Sequence, residues 1–439
     1  MLFFIMDIAS LYAAFVKSEG ICTDTRNFKK RTLFFALQGL NFNGNSFAKK
    51  ALEDGAVAVV IDDPNLQLKS KNVYLVDNAL ETLQALATYH RLKLKTPIIA
   101  LTGSNGKTTT KELIRAVLSE KYHVLATEGN LNNHIGVPLT LLKLNANHQI
   151  GIIEMGANHP NEIAQLCEIT LPDWGYITNF GKAHLEGFGG IDGVIRSKSE
   201  MYRHQIKHQK NILINADDYE QIKQVGDYNV LAFGNNEEAD YQWNEIKTSE
   251  DCLSIQFQNK IYTAALYGEY NLNNIAAALT FAALFKVSPK DRQKGLSSYV
   301  SKNNRSQLIQ IHQTQFILDA YNANPSSMRV ALNAFDKNRK TKKAVILGDM
   351  KELGSMSDQE HLSLLKNCLE LSINHIYVIG PNFSSTALKN DRISKFQSLE
   401  LLMGHLESTP WTFSAVLIKG SRALTLERLI PFFEKLLNP

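Results

Sequence analysis

Thr102-Gly103-Ser104-Asn105-Gly106-Lys107-Thr108-Thr109-Thr110 is the stretch of this chain that indicates its fold most directly. It follows the apolar run Pro97–Leu101 and precedes a segment with helical spacing of apolar residues, 111–118. A strand, a glycine-bearing loop, a lysine and a helix, in this order, are typical of a phosphate-binding site. Glycines let the backbone approach a polyphosphate, and the helix N-terminus adds partial positive charge. The stretch therefore predicts nucleotide binding.

The loop departs from the common P-loop pattern at one position. That pattern has a glycine five residues before Gly106, where this chain has Leu101. A chance Gly-Lys-Thr in a turn is the alternative, but the flanking strand and helix favour a shortened P-loop. Lys107 is then placed to reach the terminal phosphates, and Thr108 offers a hydroxyl to Mg²⁺.

Length and composition are those of a globular protein with several domains. The 439 residues are enough for about three domains of ~150 residues each. Apolar residues make up 44% of the chain and charged residues 21%. With 47 basic and 43 acidic residues, the net charge of +4 is too balanced to indicate nucleic-acid binding. We expect no nucleic-acid partner.

The N-terminal residues do not resemble a membrane segment. Met1–Met6 is apolar, but Asp7 interrupts it and no basic segment precedes it. The four cysteines lie far apart without metal-ligand spacing, as expected for free thiols in a reducing compartment. We expect a cytoplasmic protein without membrane insertion.

Apolar runs divide the chain into three α/β segments, 1–94, 95–303 and 304–439. Thr96-Pro97 marks the first boundary, since the residue before proline is pushed out of helix. The second segment has continuous apolar runs that suit buried parallel strands, which predicts a central P-loop ATPase domain. The third segment has runs closely followed by glycine, which predicts a Rossmann-like doubly wound domain. The expected strands include Val57–Ile61, Val73–Val76, Ile98–Leu101, Ile150–Ile153, Tyr176–Thr178, Ile212–Ile214, Phe316–Leu318, Ala344–Leu347, Ile376–Ile379 and Ala415–Ile418.

Polar residues follow several of these strands, where parallel sheets collect their ligands. Glu154 ends a strand next to the P-loop strand and is placed to hold Mg²⁺, although a surface glutamate is the alternative. His184 lies in a glycine-rich loop as a candidate metal ligand, with Glu186 as its candidate partner, or as a polar surface residue. Lys198, taken alone, is expected to be an exposed helical lysine.

Further polar residues lie at the start of a helix and between the second and third segments. Asn271 and Asn274 suit either helix capping or contact with an adenine edge. Arg305 is placed to bridge to phosphates when domains close. The segment Asp319–Pro325 is short and polar and ends in proline, which predicts an exposed loop that contacts ribose or a polar substrate.

Taken together, the motifs resemble those of the Mur ligases, the ATP-dependent amide-bond-forming enzymes of peptidoglycan synthesis. The resemblance covers essentially the whole chain. It is carried by the P-loop, by Asn130–Pro138, Glu154–Asn158 and Gly181–Gly187, and by Thr23-Asp24-Thr25-Arg26.

The resemblance implies a role for each candidate residue. It implies ATP, two Mg²⁺ ions and a carbamylated lysine at position 198 as cofactors, with Lys107, His184 and Lys198 as catalytic residues. The implied ATP-binding residues are Gly103, Ser104, Asn105, Gly106, Lys107, Thr108, Thr109, Asn271, Arg305 and Asp319; the implied metal ligands are Thr108, Glu154, His184 and Lys198; and the implied substrate-binding residues are Thr25, Arg26, Asn132, Asn133, Tyr321, Asn322 and Asn324.

Two segments are similar to those of the family member that adds a dipeptide, namely Tyr321–Pro325 and Gly348–Gly354. The resemblance therefore implies an enzyme that joins D-alanyl-D-alanine to UDP-N-acetylmuramoyl-tripeptide through an acyl phosphate. It implies a monomer whose N-terminal, central and C-terminal domains bind the UDP-sugar, ATP and the dipeptide. The third residue of the tripeptide, lysine or diaminopimelate, is left open.

The chain departs from the family pattern at three positions. Ser199 stands where glycine is usual, Tyr270 where histidine is common, and Leu318 replaces one of two acidic residues. The last two weaken the expected nucleotide contacts but leave the phosphate and metal residues unchanged.

Three alternatives compete with this interpretation. A related ligase could add the third stem residue or glutamate to folate, although the two dipeptide-type segments argue against both. A simple P-loop kinase or NTPase would not need the third domain or the residues Glu154, His184 and Lys198. A non-enzymatic UDP-sugar-binding module would not need an intact P-loop.

Overall fold

The structure of the protein is a computed structural model that describes residues 7–68, 70–246 and 252–437. The apolar run Met1–Met6 lies outside the described residues. Within them, no helix is both long and apolar enough to cross a membrane. The chain forms three separate mainly parallel sheets with helices packed around them, so the expected α/β class with three sheets is confirmed.

The N-terminal sheet has four parallel strands in the order β1-β2-β5-β6. Helix α1 begins after Asp7, whose side chain accepts a hydrogen bond from Ala9 N–H, and α3 begins after Asn78, which caps Leu80 and Glu81. The elements are α1 (Ile8–Val16), β1 (Ile21–Cys22), β2 (Leu33–Phe35), β3 (Gln38–Gly39), β4 (Phe42–Asn43), α2 (Ala48–Glu53), β5 (Ala58–Ile61), β6 (Val73–Leu75) and α3 (Ala79–Lys93).

The central sheet has nine strands in the order β15-β14-β13-β12-β11-β10-β7-β9-β8. Neighbouring strands from β8 to β13 in this order pair in parallel. Strand β14 then pairs antiparallel with β13, and β15 pairs antiparallel with β14. The elements are β7 (Ile98–Thr102), α4 (Lys107–Ser119), β8 (Val124–Ala126), α5 (Gly136–Leu141), β9 (Ile150–Glu154), α6 (Glu162–Thr170), β10 (Trp174–Ile177), α7 (Leu185–Phe188), α8 (Ile191–Lys198), α9 (Glu200–Lys207), β11 (Asn211–Asn215), α10 (Tyr219–Val225), β12 (Leu231–Gly234), β13 (Tyr241–Ile246), β14 (Leu253–Phe257), β15 (Lys260–Ala264), α11 (Leu272–Leu284) and α12 (Pro289–Ser298).

The C-terminal sheet has six strands in the order β16-β17-β21-β18-β19-β20, and only β16 runs antiparallel to its neighbour. The elements are β16 (Gln307–Ile311), β17 (Thr314–Asp319), α13 (Pro325–Asp336), β18 (Lys343–Gly348), α14 (Ser357–Glu370), β19 (His375–Ile379), α15 (Pro381–Ser385), β20 (Ile393–Phe396), α16 (Leu399–Glu407), β21 (Ala415–Lys419) and α17 (Leu429–Leu437); short 3₁₀ helices cover Thr25–Asn27, Gly44–Phe47, Glu269–Asn271, Gly354–Met356, Arg422–Leu424 and Leu426–Arg428.

The expected strands all occur, with ends that differ by one or two residues. The boundaries 94/95 and 303/304 remain a prediction, since sheets alone do not define where one domain ends. An ion pair joins the first segment to the second: Arg91 of α3 donates to Asp173, which also accepts a hydrogen bond from Ile98 N–H at the start of β7. This carboxylate therefore ties α3 to the strand that leads into the P-loop.

The P-loop helix α4 is held in place by close packing against α11 and α12. Gly295 of α12 faces the backbone of α4, because a Cβ at this position would lie 2.6 Å from Val117 Cα and 2.7 Å from Ala116 O. Such distances are too short for any side chain, so glycine sets how closely α12 approaches α4.

We predict opposite effects of the same substitution at two helical glycines. Gly295→Ala should destabilise the fold by about 1–3 kcal/mol, because the backbone of α4 must move to make room. Gly404→Ala, within α16, should stabilise it by roughly 0.5–1 kcal/mol, because nothing lies within 4 Å and alanine is the better helix former. Thermal and urea unfolding of both variants would check this. Equal effects of the two substitutions would contradict the packing argument.

Candidate functional site

A cavity of about 980 Å³ lies at the carboxyl ends of the central strands and is closed on one side by the C-terminal sheet. Polar residues from the P-loop, from the end of β9 and from residues 319–330 line it together. The predicted site residues that line this cavity are Ser104, Asn105, Gly106, Lys107, Thr108, Thr109, Asn132, Asn133, Glu154, His184, Asn271, Arg305, Asp319, Tyr321, Asn322 and Asn324.

The P-loop backbone lies against the loop that follows β10. Gly103 has φ +143°, and a Cβ there would overlap the hydroxyl of Thr178 at 1.9 Å, so only glycine fits. Lys107 Nζ donates to the carbonyl of Gly103 at 2.7 Å. Burial lowers the pKa of Lys107, nearby Arg305 lowers it further, and Glu154 opposes the shift. The lysine thus stands at the junction of the loop and the cavity.

Glu154 is a buried carboxylate at the end of β9, and not the surface glutamate of the alternative interpretation, since its exposed fraction is 2%. Its Oε1 accepts a hydrogen bond from Asn132 Nδ2 at 2.8 Å. Its Oε2 makes no hydrogen bond to any described residue, and Lys111 Nζ lies 3.9 Å away. A buried carboxylate oxygen that lacks a hydrogen bond and faces a polar cavity is suited to a hard cation such as Mg²⁺.

His184 lies at the start of α7 in the left-handed region, at φ 52°. Its Nδ1 forms an ion pair with Glu352, which lies in the loop after β18, and this contact holds the pKa of Glu352 below its usual value. The expected partner was Glu186. That side chain is exposed on α7, and only the backbone N–H of Glu186 takes part, donating to Glu352 O at 3.1 Å.

Lys198 is buried, with an exposed fraction of 1%, so the expectation of an exposed helical lysine is wrong. It ends α8, where the chain turns through Ser199 into α9, and α9 packs on β10 and α6. Its Nζ lies 5.5 Å from the centre of the Phe188 ring. Burial, with a further contribution from Lys107, puts the pKa of Lys198 well below its usual value. Lys198 does not line the cavity.

Asn271 and Asn274 form a buried chain of amides that reaches the P-loop helix. Asn271 Nδ2 donates to Tyr267 O, and Asn274 Nδ2 donates to Asn271 Oδ1, both at 2.8 Å. Asn274 Oδ1 accepts from the Thr110 hydroxyl at 2.9 Å. Helix α11 has no side-chain cap at its start, so the capping interpretation of these residues is wrong.

Arg305 and Asp319 lie on the same side of the cavity. The guanidinium carbon of Arg305 is 3.8 Å from the centre of the Tyr321 ring, a cation–π contact that holds both side chains. Asp319 accepts hydrogen bonds from Lys419 Nζ at 2.5 Å and from Ser306 N–H at 3.2 Å. Position 319 therefore carries a paired carboxylate.

In the segment 319–325 Asn322 is exposed, but Ala320 and residues 323–325 are buried, so the expectation of an exposed loop is wrong for most of the segment. Asn324 caps α13 by accepting from Ser327 N–H at 2.8 Å and completes a capping box with the Ser327 hydroxyl. Its Nδ2 donates to Asn105 Oδ1 of the P-loop at 2.7 Å. The segment is buried because it packs against the P-loop rather than facing solvent.

Two predicted residues, Thr25 and Arg26, lie outside the cavity, in the N-terminal segment. The Arg26 side chain is 87% exposed and pairs with Asp24 at 2.7 Å, which lowers the pKa of Asp24 to about 2. Gly103 contributes backbone but does not line the cavity either.

Residues missed by sequence reasoning include Lys419, which lines the cavity, and Lys111 and Glu352, which contact Glu154 and His184. Lys419 ends β21 before a glycine, a position that the strand-end argument would have selected. Glu352 belongs to the quoted segment Gly348–Gly354, but its contact with His184 depends on how two sheets dock. The sequence gives no indication that Lys111 is buried, because a lysine one helical turn after Lys107 is usually exposed.

These features define a class of protein, and the comparison with known families agrees. The chain belongs to the Mur ligase family. It matches the Mur ligase family, catalytic domain over residues 17–91, the Mur ligase middle domain over residues 101–282 and the Mur ligase, glutamate ligase domain over residues 304–422. The resemblance of the motifs is thereby confirmed.

Relatives with a common function are similar to this chain over nearly its full length. The UDP-N-acetylmuramoyl-tripeptide–D-alanyl-D-alanine ligase of Bacillus subtilis is 34% identical and the match covers 94% of this chain and 92% of that one. The crystal structure of MurF from Acinetobacter baumannii gives a TM-score of 0.87 at 32% identity, covering 98% of both chains. MurF ligase from Thermotoga maritima, in complex with ADP, gives 0.85 at 28% identity, covering 97% and 99%.

We predict that two substitutions of Asn324 separate its two hydrogen bonds. Serine is as good a helix cap as asparagine, so Asn324→Ser should keep the cap and lose only the contact with Asn105. Asn324→Ala should lose both and unfold at a lower temperature, with about 1 kcal/mol less stability than the serine variant. Scanning calorimetry would check this. A serine variant no more stable than the alanine variant would contradict the capping role.

Proposed function

We propose that this chain is an ATP-dependent ligase that joins D-alanyl-D-alanine to UDP-N-acetylmuramoyl-tripeptide. The products are the UDP-muramoyl-pentapeptide of peptidoglycan synthesis, ADP and phosphate. The observation that carries the proposal is that the P-loop, Glu154 and the segment Asp319–Asn324 face one cavity. Relatives of this specificity, similar over nearly the whole chain, support it.

The chemistry requires an activated carboxylate. A carboxylate and an amine do not condense at neutral pH, whereas transfer of the γ-phosphoryl group of ATP gives an acyl phosphate that an amine attacks. Two anions must therefore meet, and the chain provides Lys107, Arg305 and Lys419 around the cavity to offset their repulsion. The N-terminus of α4 adds partial positive charge at the same place.

The donor set fits divalent cations. Thr108 and Glu154 would hold one Mg²⁺, and His184 with a carbamylated Lys198 would hold a second. The fit rests on Glu154 Oε2, which is buried and makes no hydrogen bond among the described residues. Bound Mg²⁺ would neutralise charge on the phosphates. The chain itself orients Glu154 through Asn132 and keeps Lys107 at the loop.

We propose that all three segments contribute residues to substrate binding. Thr25 and Arg26 are proposed to contact the UDP part, Asn271 the adenine and Asp319 the ribose. Asn132, Asn133, Tyr321, Asn322 and Asn324 are proposed to place the peptide substrates. We also propose that the protein is a monomer and that it acts in the cytoplasm, where nucleotide-linked precursors are made.

The proposal is tested by a product assay. With UDP-muramoyl-tripeptide, ATP, Mg²⁺ and D-alanyl-D-alanine, mass spectrometry should find the pentapeptide product. Lys107→Ala should lower its rate of formation by about 10²-fold or more, because a positive charge at the transferring phosphoryl group is lost. Phosphate release should require both peptide substrates.

Each alternative gives a different result in this assay. A simple NTPase would release phosphate without the peptides, and a UDP-sugar-binding module would release none. A ligase of another specificity would accept a single amino acid in place of the dipeptide. Near wild-type turnover by a folded Lys107→Ala variant would exclude the P-loop from the chemistry.

Carbamylation of Lys198 is the finest part of the proposal. The amine reacts with CO₂ only when neutral, forming an N–C bond and releasing one proton, and the product is an anionic oxygen ligand. Burial and the positive charge of Lys107 both favour the neutral amine. The surroundings of Lys198 thus support formation of the carbamate.

We predict that Lys198→Ala is nearly inactive and that bicarbonate does not rescue it. A small carboxylic acid should restore part of the activity by replacing the lost ligand. The wild type, stripped of CO₂ at mildly acid pH, should lose activity and regain it with bicarbonate. Lys198→Met, similar in size, controls for packing and should be equally inactive while unfolding near the wild-type temperature. Full activity of either variant would contradict the carbamate hypothesis.

A further inference from the structure

A second group of metal-ligating side chains lies away from the cavity described above. Glu168 of α6, His204 of α9 and His208, which caps the C-terminal end of α9, each offer one ligand atom, and these atoms lie within 4.8 Å of one another. His204 Nδ1 is 3.3 Å and His208 Nε2 is 3.8 Å from Glu168 Oε1. Three ligands of one tetrahedral zinc ion, each at about 2.1 Å, lie roughly 3.4 Å apart. Small side-chain rotations therefore suffice to close the site.

The arrangement follows from the helix period. Residues four apart lie on one helical face, so His204 and His208 project together toward α6. Their rings lie 4.3 Å apart between centres. Both helices are already joined at their other ends, because Glu200 accepts from Asn161 N–H at 2.8 Å and from Ala164 N–H at 2.9 Å. The three ligands are thus held on two helices that the fold fixes relative to each other.

An independent observation points to a ligand here. His204 is buried, with an exposed fraction of 6%, and its Nδ1 lies 3.3 Å from the Glu168 carboxylate without the geometry of a hydrogen bond to any residue in the described ranges. A buried ring nitrogen without a hydrogen bond carries a desolvation cost that coordination to a metal removes. His204 and His208 also line a separate cavity of about 310 Å³, which leaves room for water on the open side of the ligands.

Three basic side chains, Arg91, Lys95 and Lys210, line the same cavity as the two imidazoles. Two of the nearest cations are already paired with another carboxylate, since Arg91 and Lys210 contact Asp173 at 2.7 and 3.0 Å. Lys207 Nζ lies 4.0 Å from Glu168 Oε1, but its side chain is 71% exposed and free to move into solvent. Glu168 is therefore available to a metal ion.

We propose that Glu168, His204 and His208 form a binding site for a divalent transition-metal ion of the zinc type, distinct from the catalytic cavity. Two imidazoles and one carboxylate favour Zn²⁺, Co²⁺ or Ni²⁺ over Mg²⁺, which prefers oxygen ligands. The ion ties α6 to the C-terminal end of α9. Because α9 follows Lys198 and Ser199 directly, the ion braces the turn that presents the buried lysine.

The test uses full-length protein without a histidine tag, freed of metal by chelation and kept in a large excess of Mg²⁺ to fill any magnesium site. Calorimetric titration with Zn²⁺ should show one site per chain in the wild type. Titration with Co²⁺ should give visible absorption bands of a nitrogen- and oxygen-ligated ion. Zn²⁺ should also raise the unfolding temperature.

Two variants and one control locate the site. His208→Gln and Glu168→Gln each remove one ligand on an exposed side chain. Each should weaken Zn²⁺ binding by more than about tenfold, because even the loss of a residue that only hydrogen-bonds a metal ligand costs about that much. His123→Gln, at an exposed histidine elsewhere on the central segment, should bind Zn²⁺ like the wild type. Absence of Zn²⁺ binding in the wild type, or unchanged binding in both ligand variants, would overturn the proposal.

Discussion

The site depends on one contact, the fit of the P-loop backbone against the chain that leaves the neighbouring strand. Strands β7 and β10 pair in parallel, so their carboxyl ends emerge side by side. Asn105 O accepts from the Thr178 hydroxyl at 2.6 Å and from Asn179 Nδ2 at 3.0 Å, while Asn179 Oδ1 accepts from Asn105 N–H at 3.2 Å. These bonds leave no room for a side chain at Gly103. The loop is therefore shaped by the sheet before any phosphate arrives, and little conformational entropy remains to be lost on binding.

The P-loop and the loop after β10 both contact the C-terminal segment. Asn324 reaches Asn105, the Lys182 ammonium pairs with Glu360 at 2.5 Å, and His184 pairs with Glu352. Each contact joins a residue that follows a central strand to one that follows a C-terminal strand or lies on α14. Closure of two domains over a site excludes water, which protects a hydrolysable acyl phosphate. Of the residues in these contacts, Asn105, His184 and Asn324 also line the cavity.

Local pattern was sufficient to predict the strands, the P-loop and most of the cavity residues, because continuous apolar runs and glycine-bearing strand ends depend on neighbours in sequence. Local pattern could not predict which polar side chains are buried. Lys198 reads as a surface residue of a helix, and only the packing of α9 on α6 and β10 removes it from water. The antiparallel strands β14 and β15 were likewise not anticipated, since they alternate only in part. Contacts such as Glu352 with His184 join residues far apart in sequence, and no local pattern encodes them.

The burial of Lys198 explains why a lysine can stand near other cations at all. Burial and, after it, the positive charge of Lys107 lower the pKa of Lys198, because a second ammonium beside Lys107 would be costly in a buried environment. The neutral amine avoids this cost, and conversion to a carbamate reverses the sign of the group. An anion at position 198 would then be attracted to Lys107 and to any divalent cation beside Glu154 and His184. The same burial that makes the ammonium form unfavourable strengthens these attractions, because charges interact more strongly where water is excluded. The proposed carbamate at position 198 would thus place negative charge beside Lys107, at a lysine that local helical pattern alone assigns to the surface.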